Sequence, residues 1–208
     1  MGKRYWRPRK AVRELVARDP RFARLVEHLG APSVELRPST FESIARAIAY
    51  QQLAGAAASA IWERVLAIFP GDEPLDPAAV IRRRDTTFRK AGLSGAKTKS
   101  IKDLARHIRR GDFDPADFPG MPDDEIIESL TQVWGIGEWS AQMHLMFSLG
   151  RNDVWPVLDL GVRNGWAKFA GQPAPTARQL LPLGEDYKPY RSVVAWYMWR
   201  IHDVQIWP

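Results

Sequence analysis

The sequence predicts an all-α protein made of two helical lobes with a cleft between them. Three observations carry that prediction. Apolar residues recur at helical spacing along most of the 208-residue chain, and residues that start or stop helices bracket those stretches. Sustained alternation of apolar and polar residues is missing; Val34-Glu35-Leu36 is the one hint of a short extended piece.

Taken in order, Phe41, Ile44, Ala45 and Ile48 share one helical face, with Ser39 and Glu42 spaced as a capping box to start it. Gly55 and an alanine run (54–60) lead into Ile61, Trp62, Val65, Leu66 and Phe69, ended by Pro70-Gly71. Asp76-Pro77 reads as an N-cap followed by a first-turn proline. Ile101, Leu104, Ala105 and Ile108 form the next stripe, closed by Gly111. Ile126, Ile127 and Leu130 continue the pattern up to a break at Gly135. Val193, Val194, Tyr197 and Ile201 mark a last helix after Pro189. The connectors Pro70-Gly71, Phe118-Pro119-Gly120 and Gly171-Gln172-Pro173 are short, so the lobes should pack tightly and leave a cleft, the usual place for a ligand.

Composition narrows the function. A hydrophobic fraction of 45% against 26% charged residues describes a folded soluble chain and excludes general disorder. Without cysteine there can be no disulfide, thiolate zinc site, iron–sulfur cluster or cysteine nucleophile. His28, His107, His144 and His202 are too scattered for an all-imidazole metal site. The start, Met1-Gly2-Lys3-Arg4-Tyr5-Trp6, runs into basic residues, and no stretch approaches the ~18 apolar residues of a membrane span. A cytoplasmic location without a membrane partner is expected, nucleoid-associated if the source is bacterial.

Charge is segregated. Residues 1–24 hold nine basic and two acidic side chains and 81–110 hold eleven and two, whereas 111–130 hold seven acidic and none basic. One face meeting phosphates would explain this, and so would ordinary solvated Arg-rich helices. Nine tryptophans supply core anchors and could also stack on bases.

The chemistry concentrates in two segments. Val133-Trp134-Gly135-Ile136-Gly137-Glu138-Trp139-Ser140-Ala141 lies between helical patterns at 123–132 and 138–148. Its glycines permit a tight hairpin that approaches another surface closely, with Ile136 tucked between the helices. Amides opening the second helix would then suit a phosphate, although a plain αα-turn also uses such glycines. Downstream, in Asp153-Val154-Trp155-Pro156-Val157-Leu158-Asp159, the aspartate at 159 opens a helix. It reads as an N-cap, as a carboxylate at the mouth of a cleft, or as both.

These segments resemble the helix-hairpin-helix DNA glycosylase superfamily, and Gly135-Ile136-Gly137-Glu138-Trp139-Ser140-Ala141 most resembles its 3-methyladenine DNA glycosylase II branch. Ala47-Ile48-Ala49-Tyr50-Gln51-Gln52-Leu53, Gly92-Leu93-Ser94 through Lys97 with Leu104-Ala105, and Lys188-Pro189-Tyr190-Arg191-Ser192 with Trp196 and Trp199 agree in the same order. The likeness covers residues 35–203, with the hairpin at 131–142. Residues 1–34 are left as a basic segment that packs on the body or meets DNA, ahead of a glycosylase domain at 35–208.

The resemblance implies a monomer that binds double-stranded DNA, flips out alkylated purines such as 3-methyladenine and 7-methylguanine, and hydrolyses the N-glycosidic bond. Asp159 would be the catalytic carboxylate, stabilising the developing sugar cation and assisting water. Trp139 stands where lyase-active relatives carry lysine, so no Schiff base forms and the enzyme is monofunctional. Trp139 and Trp155 would line the base pocket, their electron-rich faces attracting a cationic base. Gln52 would fill the gap left by the flipped base, with Gln51 supporting it. Gly135, Gly137, Trp139, Ser140 and Lys97 would contact the DNA backbone. No cofactor is required, and a structural Na+ or K+ would rest on the main-chain carbonyls of Thr131, Val133 and Ile136.

The chain also departs from the family pattern. The stretch before the match is too short for the N-terminal β-rich domain of some larger members. Leu158 stands where many relatives have an acidic residue, and Trp134 where the hairpin proline is usual. These differences bear on substrate range, and two rivals stay open: action on deaminated or ethenoadduct bases, and a non-catalytic DNA-binding module.

Overall fold

The computed structural model describes residues 3–53, 55–69, 71 and 75–203. Pro70 of the expected Pro70-Gly71 stop and Ala54 of the alanine run lie outside the described residues. The helical prediction holds: among the described residues, two three-residue strands accompany twelve α-helices. No helix among them is long and apolar enough to cross a membrane. The chain divides into two compact units, Pro38–His144 and Met1–Arg37 with Leu145–Pro208.

The unit formed by residues 38–144 contains α3 (Phe41–Tyr50), α4 (Gly55–Leu66), α5 (Pro77–Arg82), α6 (Asp85–Lys90), α7 (Gly95–Arg110), α8 (Asp123–Thr131) and α9 (Glu138–His144). The 16-residue α7 is its spine, packed on α3, α5 and α6. Ile101, Leu104 and Ala105 face Ile44, Ala45 and Ile48 in the core, each at most 4% exposed. That is the burial expected of apolar stripes repeating every three to four residues. Asp76 caps α5 through the amides of Ala78 and Ala79, and Gly111 ends α7 in the left-handed conformation. The start of α3 differs from expectation by one residue. Thr40, not Ser39, is the cap and accepts from the Ser43 amide. Ser39 Oγ instead donates to Pro115 O at 2.7 Å and lies 3.0 Å from His144 Nε2.

His144 is buried against the edge of Phe118, and burial pulls its pKa down to about 4. The folded protein therefore keeps a neutral ring where the unfolded chain takes up a proton. Stability should fall as pH drops from about 6.5 to about 4 and level off below, by up to roughly 3 kcal/mol from this group. Melting temperatures measured over that range should flatten in His144→Gln; an unchanged slope would contradict the assignment.

The unit formed by residues 1–37 and 145–208 joins β1 (Arg4–Trp6), α1 (Arg9–Arg18), α2 (Arg21–Leu29) and β2 (Val34–Leu36) to α10 (Leu160–Ala170), α11 (Ala177–Leu183) and α12 (Arg191–Asp203). The strands pair antiparallel, with Tyr5 opposite Glu35, so Val34-Glu35-Leu36 is extended as expected. The basic N-terminal segment packs on the body. Leu15, Phe22 and Leu25 have no exposed surface, and Phe22 meets the rings of Phe169, Tyr187 and Tyr197 at 5.3–5.7 Å. Trp6 Nε1 donates to Asn152 Oδ1, and Tyr197 donates its hydroxyl to Gly30 O. The natural division thus groups residues 1–37 with the C-terminal helices, rather than separating 1–34 from everything after it.

Candidate active site and nucleic-acid interface

The hairpin between α8 and α9 forms where the two glycines place it, and they serve different ends. Gly135 has φ +85°, and a Cβ there would press on Ser100 Oγ at 3.0 Å, so both backbone and space demand glycine. Gly137 faces open space, with nothing within 4 Å of an added Cβ, which leaves its backbone open to approach. Val133 and Ile136 are buried and pin the turn to the core, while Gly135, Gly137 and Trp139 are exposed. Asp103 Oδ2 accepts the Trp134 amide at 2.9 Å, and Val133 O accepts the Ile136 amide. The first amides of α9 have no acceptor within their own helix. Those amides suit a phosphate, with the Lys99 ammonium 4.1 Å from the centre of the Trp134 ring and the Glu138 carboxylate in the first turn of α9 as the nearby charges.

Gln51 and Gln52 follow the last turn of α3 and are built into the same unit. Gln51 Nε2 donates to Gly135 O at 3.4 Å and to Ser140 Oγ at 3.3 Å, tying this turn to the hairpin. Gln52 is exposed and takes φ +55°, a left-handed backbone that costs a non-glycine residue about 1 kcal/mol or more. Lys97 holds the turn from beneath, donating to Ala49 O at 2.8 Å and Gln51 O at 2.7 Å. Burial lowers its pKa below the usual lysine value. Two of its three N–H groups are therefore spent on the α3 terminus, and a simple solvent-facing backbone contact does not describe it.

Asp159 belongs to the other unit, where it is the N-cap of α10. Its Oδ1 accepts from the Val162 amide at 2.9 Å and from Trp199 Nε1 at 2.8 Å, and the residue is half-buried. Gly161 makes room for this, because a Cβ there would lie 2.8 Å from Trp199 Cδ1. The N-cap reading of Asp159 holds, and the same carboxylate, fixed by two donors, is still partly exposed. Leu158 and Leu160 beside it are 55% and 61% exposed.

Trp155 corrects the expectation. It is 5% exposed, donates Nε1 to Leu180 O at 3.0 Å and meets Trp166 edge-on, with Gly184 close against its indole. Its ring is a core anchor that fixes the loop before Asp159 rather than a wall open to a base. Trp139, in contrast, is 40% exposed. The sequence reading missed Trp199 as a partner of Asp159, Asp103 on the hairpin amide and Ser100 beneath Gly135. Only the helical register of Ser100 and Asp103 within α7 hinted at any of these.

A family model described as "HhH-GPD superfamily base excision DNA repair protein" matches residues 45–186. DNA-3-methyladenine glycosylase 1 of Schizosaccharomyces pombe is 35% identical over 199 residues, covering 92% of this chain and 86% of that protein. The alkylbase DNA glycosidase-like protein mag2 of the same yeast is 28% identical, covering 93% of each. The structure of the S. pombe 3-methyladenine DNA glycosylase in complex with abasic DNA matches with a TM-score of 0.80 at 32% identity, covering 94% of this chain and 97% of that one. A DNA-3-methyladenine glycosidase from Bacillus halodurans matches at 0.85 and 33% identity, covering 97% and 94%.

Proposed function

The chain belongs to the HhH-GPD superfamily of base excision DNA repair proteins, and on that premise we propose that it is a monofunctional DNA glycosylase that flips alkylated purines out of duplex DNA and hydrolyses their N-glycosidic bond. The observation that supports this best is Asp159, whose carboxylate is fixed by the Val162 amide and the Trp199 indole while staying half-exposed. A purine methylated at N3 or N7 is already cationic and leaves with the electron pair of the bond to C1′. The sugar becomes an oxocarbenium-like cation, and a preoriented carboxylate stabilises it. Water then adds to C1′ and gives up its proton with the help of the same carboxylate. A cationic leaving group needs little acid assistance.

Trp139 supplies an exposed indole, whose face attracts a cationic base by about 0.5–2 kcal/mol. Lacking an amine, it forms no Schiff base, so the sugar–phosphate backbone stays intact. The amides of Gly135, Gly137 and Trp139, aided by Ser140, take the DNA backbone. The neutral carbonyls of Thr131, Val133 and Ile136 suit Na+ or K+; Val133 O keeps a second lone pair beside its bond to the Ile136 amide.

The test is chromatography of bases released from methylated DNA. Free 3-methyladenine or 7-methylguanine with unbroken strands is the expected result; tight binding without release would favour a non-catalytic module. Duplexes carrying deaminated or etheno bases should be poorer substrates.

Gln52 gives a second expected result. Its left-handed backbone is strained, and its side chain is proposed to fill the gap left by the flipped base. Gln52→Gly should raise stability by about 1 kcal/mol through relief of strain. It should also slow excision from a paired site by about tenfold or more, because unstacking is no longer offset. Melting and single-turnover excision, measured on the same preparation, check the opposite signs.

A further inference from the structure

We propose that the N-terminus of α7 holds a second phosphate site, distinct from the hairpin amides, that takes one phosphodiester of the DNA backbone. The inference rests on the glycosylase reading above and adds a contact to it. A cavity of about 180 Å³ opens there, lined by Ser94, Ala96, Lys97, Ser100, Gln52 and Gly135 among others. Ser94 is the N-cap of this 16-residue helix, and its hydroxyl accepts the Lys97 amide. The amides of Gly95 and Ala96 precede any possible intrahelical acceptor, and the helix dipole places partial positive charge at their end.

Ser100 is the independent observation. It is 2% exposed, and its hydroxyl has no hydrogen-bond partner among the described residues. A buried hydroxyl left without a partner costs about 1–3 kcal/mol, a cost that an acceptor entering the cavity would offset. The group lies beneath Gly135, and Ser100 and Gly135 line the same cavity. Lys97 keeps one N–H after serving Ala49 O and Gln51 O, and this supplies full positive charge at the cavity wall. Helix amides, an orphan hydroxyl and an ammonium together recognise a tetrahedral oxyanion. Gln52 at the rim makes a strand of the bound duplex the source, because the proposed gap-filling residue brings the DNA to this edge.

Two variants test the site. Ala96→Asp places a carboxylate in the second position of α7, where the dipole favours it, so the melting temperature should stay at or above the parent value. The same charge repels a phosphate. Its affinity for an undamaged duplex should fall about tenfold, and the slope of log K against log salt should shrink by about 1. Ser100→Ala should leave stability unchanged or higher, yet weaken duplex binding severalfold. Parent affinity and parent salt slope in both variants would overturn the proposal. The amide resonances of Gly95 and Ala96 separate the sources: they should move with a short duplex well before inorganic phosphate moves them. If inorganic phosphate alone moved them, the DNA assignment would fall. Base release by the unaltered protein is read separately, so loss of the glycosylase reading would show there and leave the binding slopes intact.

Discussion

Asp159→Asn should yield a folded protein that binds duplex DNA nearly as well as the parent and releases bases at least about a hundredfold more slowly. The substitution separates the two jobs of this residue. Asparagine caps a helix about as well as aspartate, and its carbonyl oxygen can still accept from the Val162 amide and the Trp199 indole. The fold and the placement of the side chain therefore persist. What disappears is the negative charge, which in the proposed mechanism stabilises the developing sugar cation and assists water. Removing one preorganised electrostatic group costs ~10²–10³ in rate in well-studied enzymes, and a formal charge should cost no less. Duplex affinity is carried by phosphate contacts elsewhere and should change little. Circular dichroism, a binding titration and single-turnover release on one preparation check all three statements.

Gly165→Ala should have the largest effect on stability, about 4 kcal/mol or more, and leave little folded protein at physiological temperature. Helix α10 lies directly against α12, and an added Cβ at this position would overlap the Met198 carbonyl and the backbone beside it. Backbone cannot rotate away as a side-chain tip can, so the helices must separate. Trp166, Phe169, Tyr197 and Met198, all less than 9% exposed, would lose packing together. Asp159 and Trp199 sit on the same two helices, so surviving molecules should also lose activity. Urea denaturation checks the magnitude, and Gly171→Ala, at a helix end with open space around it, supplies the comparison. That control bears only the cost of its positive φ.

Much of this could be read from the residues. Apolar stripes announced the helices because burial of one face follows a fixed period, and Asp76 and Gly111 acted where their chemistry placed them. The hairpin and Asp159 were legible because glycine and a cap residue act locally. Long-range partners were not. Nothing in the sequence joins Trp199 to an aspartate forty residues earlier, or says that Trp155 lies against Gly184 and Leu180. Lys97 was legible only in part for a related reason: its place in a basic run gives no sign that the carbonyls of Ala49 and Gln51 take two of its N–H groups. The N-terminal basic segment hid Leu15, Phe22 and Leu25 among nine cations, and its helices became apparent only through their packing. Ser39 lost the cap to its neighbour because the hydroxyl found Pro115 O and His144 instead.

The role of the Asp159 charge is read most directly from binding of duplexes in which the damaged nucleotide is replaced by a cationic pyrrolidine or by a neutral tetrahydrofuran. The first mimics the charge of the transition state and the second only its shape. The unaltered protein should prefer the cation by about a hundredfold or more, and Asp159→Asn should bind the two alike. An equal preference in both proteins would mean that the sugar cation is stabilised by some other group.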